Sequence, residues 1–273
     1  MKYSIAVSDY DGTLANSSDE ISDFTLDVIK KFVSNGGIFA VSTGRMFASI
    51  YKRLLKYNLL FDNTPVIAYH GGMIVDSSSK KIIYHLGVKC QDAADVVTEL
   101  LKDDLTVQIY VNDKIFVSNL NQYALCYAKK FDVGTNKVDS DMVEFITHNN
   151  LIPTKILAIA DKERIDELYN KYVTLFSDRI NVTRSNYMFL EFLNIDVSKG
   201  RALKFLADYY NKTVKDIIAF GDALNDIPML KECGMGVAVG NAMEEVKKIA
   251  DITVEMNDDN GVAKSILKYC MGE

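Results

Sequence analysis

Short apolar runs of three to five residues recur along this chain. Between them lie stretches in which hydrophobic residues return every three or four positions. Ile5-Ala6-Val7 reads as a buried strand. Leu26, Ile29, Phe32 and Val33 then follow helical spacing, and Asn35-Gly36-Gly37 stops that helix. Ile38-Phe39-Ala40-Val41 predicts a second strand, Met46 to Tyr57 a second helix, and Pro65-Val66-Ile67-Ala68 a third strand. This strand–helix alternation marks a parallel sheet with helices on both faces.

The pattern changes after residue 70. Met73-Ile74-Val75 and Lys81-Ile82-Ile83-Tyr84 flank the polar tip Asp76-Ser77-Ser78-Ser79 and predict a hairpin. A second hairpin turns at Asn112-Asp113-Lys114, and Lys155 to Ala160 predicts a strand. Hairpins mixed with helices predict an inserted α+β domain at residues 85–187, between core segments 1–84 and 188–273. In the second segment, Phe189-Leu190-Glu191-Phe192 reads as the returning core strand. Ser198 is placed to cap a helix from Lys199 to Tyr210, and Ile217-Ile218-Ala219-Phe220 predicts another strand.

A length of 273 residues suits about two domains, and 48% hydrophobic residues suffice for a sizeable core. The net charge of -6 and the lack of a basic patch argue against nucleic acid or acidic membrane surfaces as partners. Cys90, Cys126, Cys233 and Cys270 form no Cys-x-x-Cys pair and read as free thiols in a reducing compartment. No apolar core of signal-peptide length precedes Asp9, and no run approaches the ~18 residues of a membrane span. A cytoplasmic protein is expected.

Four predicted strand ends carry polar groups, and ligands of open α/β sheets bind beyond such ends. The first is Ser8-Asp9-Tyr10-Asp11-Gly12-Thr13, with two acids at i and i+2. On an extended chain these point the same way, and they repel unless a cation or proton lies between them. Alone, the motif could be an ordinary solvated turn. The second is Thr43-Gly44-Arg45, a hydroxyl and a glycine at a helix start, where backbone N–H groups favour an anion. The third is Lys199, a cation in the first turn of a helix. It opposes the helix dipole unless acids or an anion lie near. The fourth is Gly221-Asp222-Ala223-Leu224-Asn225-Asp226, with two acids four apart after an apolar run.

In this order the four pieces resemble the haloacid dehalogenase superfamily, and most closely its Cof-type sugar-phosphate phosphatases. Two stretches depart from the family pattern. His70 stands before Gly71 where the family usually has Asn, and Val239 precedes Gly240 where Met is frequent. The resemblance implies an α/β fold: a Rossmannoid parallel-sheet core with an inserted α+β cap. It implies Asp9 as nucleophile and Asp11 as general acid and base. It also implies Mg2+ held by the Asp9 carboxylate, the Asp11 carbonyl and Asp222, with Asp226 orienting the ion's water. Thr43, Gly44, Lys199 and Asn225 would hold the phosphoryl oxygens, and Arg45 is a weaker candidate. The expected substrate is a small phosphorylated metabolite, such as a sugar phosphate. Two alternatives remain at this point: a phosphomutase using the same residues, and a phospholigand-binding module without turnover. A nucleotide-dependent dehydrogenase does not fit, since no Gly-x-Gly-x-x-Gly follows the first strand.

Overall fold

The computed structural model describes residues 1–61 and 64–273. The chain divides into two compact units, Met1–Tyr84 with Ser198–Glu273, and His85–Val197.

The first unit is built on an eight-stranded sheet. Its early strands are β1 (Ile5–Asp9), β2 (Ile38–Ser42), β3 (Pro65–Ala68), β4 (Met73–Asp76) and β5 (Lys81–His85). The second unit holds a six-stranded sheet of β6 (Thr106–Val111), β7 (Lys114–Val117), β8 (Thr135–Lys137), β9 (Lys155–Ile159), β10 (Ile180–Asn186) and β11 (Phe189–Asn194). The chain then returns to the first sheet with β12 (Ile217–Gly221), β13 (Met235–Ala238) and β14 (Ile252–Thr253).

Strand order in the first sheet is β14-β13-β12-β1-β2-β3-β4-β5. The strands from β14 to β3 run parallel, and β4 turns back antiparallel on β3. All five residues of β1 and of β12 are buried, which explains their unbroken apolar runs: a central parallel strand is covered on both faces. The helix Asp23–Ser34 buries Leu26, Ile29 and Phe32 on one stripe, and Ser22 caps it by accepting from the Thr25 amide. The expected capping of the helix Lys199–Tyr209 by Ser198 is also present.

Register decides what meets at the carboxyl edge. Ser8 lies opposite Phe220, and Asp9 lies opposite Ser42. The ends of β12, β1 and β2 are therefore level, and the residues that follow them emerge side by side.

In the second unit the order is β10-β11-β9-β6-β7-β8. Val107, Ile109, Ile156, Ala158, Leu190 and Phe192 share a core with Val96 and Leu100 of one helix and Ile165 and Tyr172 of another. Here the sequence expectation is corrected. Phe189–Phe192 does not open the core return; β11 pairs antiparallel with both β10 and β9, so this unit runs to Val197. A fully buried apolar run looks alike in either kind of sheet. The short strand Thr135–Lys137 is a further element that its polar sequence conceals.

Candidate active site

The level ends of β1 and β12 bring Asp9 together with Asp222 and Asp226, and the start of the helix Lys199–Tyr209 adds Lys199. Lys199 is withdrawn from solvent, and its ammonium donates to Asp9 Oδ1 and, at 2.5 Å, to Asp226 Oδ1. Its position in the first turn of a helix now has its reason: the two acids outweigh the unfavourable dipole. Burial alone would lower the Lys199 pKa, but the charges of Asp226 and Asp9 lift it above the usual lysine range.

Asp226 is fully buried, and both its oxygens are engaged inside the protein. Oδ1 takes the lysine, and Oδ2 accepts from the Asp222 and Ala223 amides at 3.0 Å each. It therefore holds the Gly221–Asn225 loop and Lys199 in one piece. Gly221 makes room for this, since a Cβ there would lie 2.5 Å from Asp226 Cβ.

Asp222 accepts from the Thr13 hydroxyl at 2.6 Å. Its other oxygen lies against Gly12, where a Cβ would come within 2.8 Å and the backbone has φ +79°. Only glycine permits that turn at low cost. Asn241 secures the same turn from the far side by donating to the Gly12 carbonyl at 2.7 Å.

One carboxylate oxygen from each of Asp9, Asp222 and Asp226 lies within 4.8 Å of the others. Burial first, then the nearby Asp226 and Asp222 charges, raise the Asp9 pKa well above normal despite Lys199. Burial also raises Asp222, which Asp226 and Asp11 reinforce and Thr13 opposes. Three acids around one ammonium leave negative charge uncompensated. Hard oxygen donors in that state fit a divalent cation such as Mg2+. Since Asp226 is committed elsewhere, Asp9 and Asp222 are the side chains placed to offer oxygen.

The remaining predicted residues surround this centre. Asp11 is exposed, and Arg45 holds it through both carboxylate oxygens while lying over the Tyr10 ring. Arg45 is thus directed at an acid. Thr43 is buried, and its oxygen accepts from the Arg45 amide at 3.1 Å. Gly44 lies beneath the His70 ring, and Asn225 approaches His70 Nδ1 at 3.3 Å. Sequence reasoning assigned no role to His70, Thr13 or Asn241. The run Tyr69-His70-Gly71-Gly72 was the available signal for the first; nothing local marks the other two.

The fold and the acid–lysine cluster at its strand ends are those of a phosphotransfer hydrolase, and the relatives agree. The family model described as haloacid dehalogenase-like hydrolase matches residues 6–266, and the chain belongs to that family as a Cof-type phosphatase. It is 27% identical over 278 residues to the 5-amino-6-(5-phospho-D-ribitylamino)uracil phosphatase YitU of Bacillus subtilis, covering 98% of this chain and 97% of that one. A haloacid dehalogenase-like hydrolase from Bacteroides thetaiotaomicron superposes with a TM-score of 0.85 at 30% identity, over 97% and 98% of the two chains. TM0651 from Thermotoga maritima gives a TM-score of 0.84 at 32% identity, over 96% and 95%.

Proposed function

We propose that this chain hydrolyses small phosphorylated metabolites, sugar phosphates among them, by way of a phosphoryl group carried on Asp9 and with the help of Mg2+. The observation that carries the reading is the Asp9–Lys199–Asp226 triad with Asp222 beside it. It supplies a nucleophilic carboxylate, a fixed cation for a phosphoryl oxygen and an acidic niche for a metal in one place.

Asp9 attacks phosphorus and the ester oxygen leaves, so one hard displacement becomes two easier ones. Asp11 protonates the departing alcohol and later takes a proton from the attacking water. To do so it turns away from Arg45, which holds it in this structure. Lys199, the Thr43 hydroxyl, the Gly44 amide and Asn225 neutralise and orient the phosphoryl oxygens. Mg2+, held by Asp9, Asp222 and the Asp11 carbonyl, would supply further charge neutralisation at the phosphoryl group. Asp226 acts here by fixing Lys199 and the Asp222 loop.

A phosphorylated ribityl compound is the substrate in the name of the B. subtilis relative, which supports a small polyhydroxylated substrate here. The four cysteines are unpaired, which supports a reducing, cytoplasmic setting. Among the described residues no helix is long and apolar enough to cross a membrane.

The test is release of inorganic phosphate from a panel of sugar and polyol phosphates, with Mg2+ and with EDTA. The expected result is Mg2+-dependent release with wild-type protein and none with Asp9→Asn. Undiminished release by Asp9→Asn would exclude Asp9 as nucleophile. Dependence on a bisphosphate activator, without net phosphate release, would mark a mutase instead.

A further inference from the structure

The turn between β3 and β4 ties together pieces of the site that come from distant parts of the chain. The His70 amide donates to the Thr43 carbonyl at 3.0 Å, and the Tyr69 amide donates to the Arg45 carbonyl at 3.0 Å. Gly71, at φ +102°, lies so close to the start of the Lys199 helix that a Cβ would fall 2.3 Å from the Ser198 carbonyl oxygen. His70 itself has φ +57°, in the left-handed region that glycine, asparagine, aspartate and histidine enter more readily than other residues. That conformation swings its ring over Gly44. A Cβ on Gly44 would lie 2.3 Å from His70 Cε1 and 2.5 Å from Nε2. The ring also meets Asn225, whose Nδ2 is 3.3 Å from Nδ1. In the tautomer that carries its proton on Nε2, Nδ1 accepts from the Asn225 amide.

Gly44 follows β2 and Asn225 follows β12, and β1 lies between those strands. Neighbouring strands are ~4.8 Å apart, so the two loops stand about two strand spacings from each other. His70 reaches across that gap from a third loop.

We propose that His70 is a positioning residue of the phosphate cradle: its ring, seated on Gly44, holds the Asn225 amide and so sets the spacing of the groups that grip the phosphoryl oxygens. This rests on the phosphatase reading above and adds a residue to it. The ring acts through Asn225, so its loss is felt in phosphate affinity more than in the chemical step. The glycine at 44 is then required for the ring as well as for the anion.

The experiment compares wild type, His70→Gly, Asn225→Ala and the double variant. Glycine is chosen at 70 because it keeps the left-handed backbone without strain. The readouts are KM and kcat on one hydrolysed ester, the competitive inhibition constant of inorganic phosphate, and the melting temperature. The expected result for His70→Gly is a rise of about tenfold in both KM and the phosphate inhibition constant, the size of one lost positioned hydrogen bond to a charged ligand. Its kcat should change much less. In the double variant the inhibition constant should match that of Asn225→Ala alone, because the two residues act as one unit.

An unchanged inhibition constant in His70→Gly overturns the proposal, and so do effects that multiply in the double variant. If His70→Gly does not fold, Gly44→Ala tests the seat of the ring from below. It should raise the inhibition constant with His70 intact, and no rise overturns the proposal. A wild-type protein that releases phosphate and is inhibited by it, while His70→Gly behaves identically, removes only this inference. A wild-type protein that cleaves no ester removes the phosphatase reading, and this inference falls with it.

Discussion

Thr13 and Asp222, 209 positions apart in the chain, share a 2.6 Å hydrogen bond in which the hydroxyl donates to the carboxylate. The bond leaves Asp222 in one orientation and connects the turn after β1 to the loop after β12. Thr13→Val keeps the shape of the side chain and removes the donor. Groups that orient a metal ligand are worth about 10- to 100-fold in metal affinity. The expected outcome is a rise of that size in the Mg2+ concentration for half-maximal phosphate release, with near wild-type turnover at saturating Mg2+. A Mg2+ titration of both proteins checks it.

Among the described residues, Lys199 is the ammonium that pairs with both Asp9 and Asp226. Replacing it with Met leaves two acids buried without their cation. Breaking a buried pair in this way typically costs about 3–5 kcal/mol. Lys199→Met should therefore lower stability by that order as well as abolish activity. Restoring balance with Asp226→Asn in the same chain should recover part of the stability and none of the turnover. Urea unfolding of the three proteins decides this.

Asp9→Asn should behave in the opposite way. Burial, then the Asp226 and Asp222 charges, work against the ionised form of Asp9 despite Lys199. Its folded-state pKa is raised, so its contribution to stability is complete below the ordinary value of 3.8 and is lost as pH rises above that. The neutral amide removes this loss and leaves Lys199 paired with Asp226. At pH 7 in EDTA the variant should melt no lower than wild type, while its activity falls by at least about a thousandfold. Melting curves at pH 5 and 7 show whether the gap between the proteins widens with pH, as expected.

A second pH effect lies outside the site. His85 Nε2 is 3.0 Å from Thr154 Oγ1, and burial lowers the His85 pKa below its ordinary 6.5. The unfolded chain then takes up a proton before the folded one does. Stability is full above about pH 6.5 and declines as pH falls from there through the folded-state value. His85→Gln should flatten that decline in unfolding experiments between pH 7 and 5 and leave stability above pH 7 little changed.

Asp9, Lys199, Asp222 and Asp226 could be read from the chain because each follows an apolar run or sits where its charge opposes the local backbone. The Lys199 dipole conflict was the clearest such sign, and the two acids resolve it. What could not be read depends on approach between remote loops. That Asp226 serves Lys199, that Arg45 faces Asp11, and that His70 spans Gly44 and Asn225 are set by register and backbone angles without a local sequence mark. β11 shows the matching limit for the fold. Its burial pattern was legible, but the sheet that buries it was not, because an apolar run carries no record of its partners.

The order β12-β1-β2 has a consequence for biosynthesis. When residue 197 has left the ribosome, every strand of the six-stranded sheet has been made, but β1 still lacks the neighbour that will flank it on one side. The inserted unit has its full set of strands for assembly during translation, while the unit that holds Asp9 must wait for the last quarter of the chain. The Asp9 carboxylate near the start of the chain therefore has neither Lys199 nor Asp222 beside it until synthesis is almost finished.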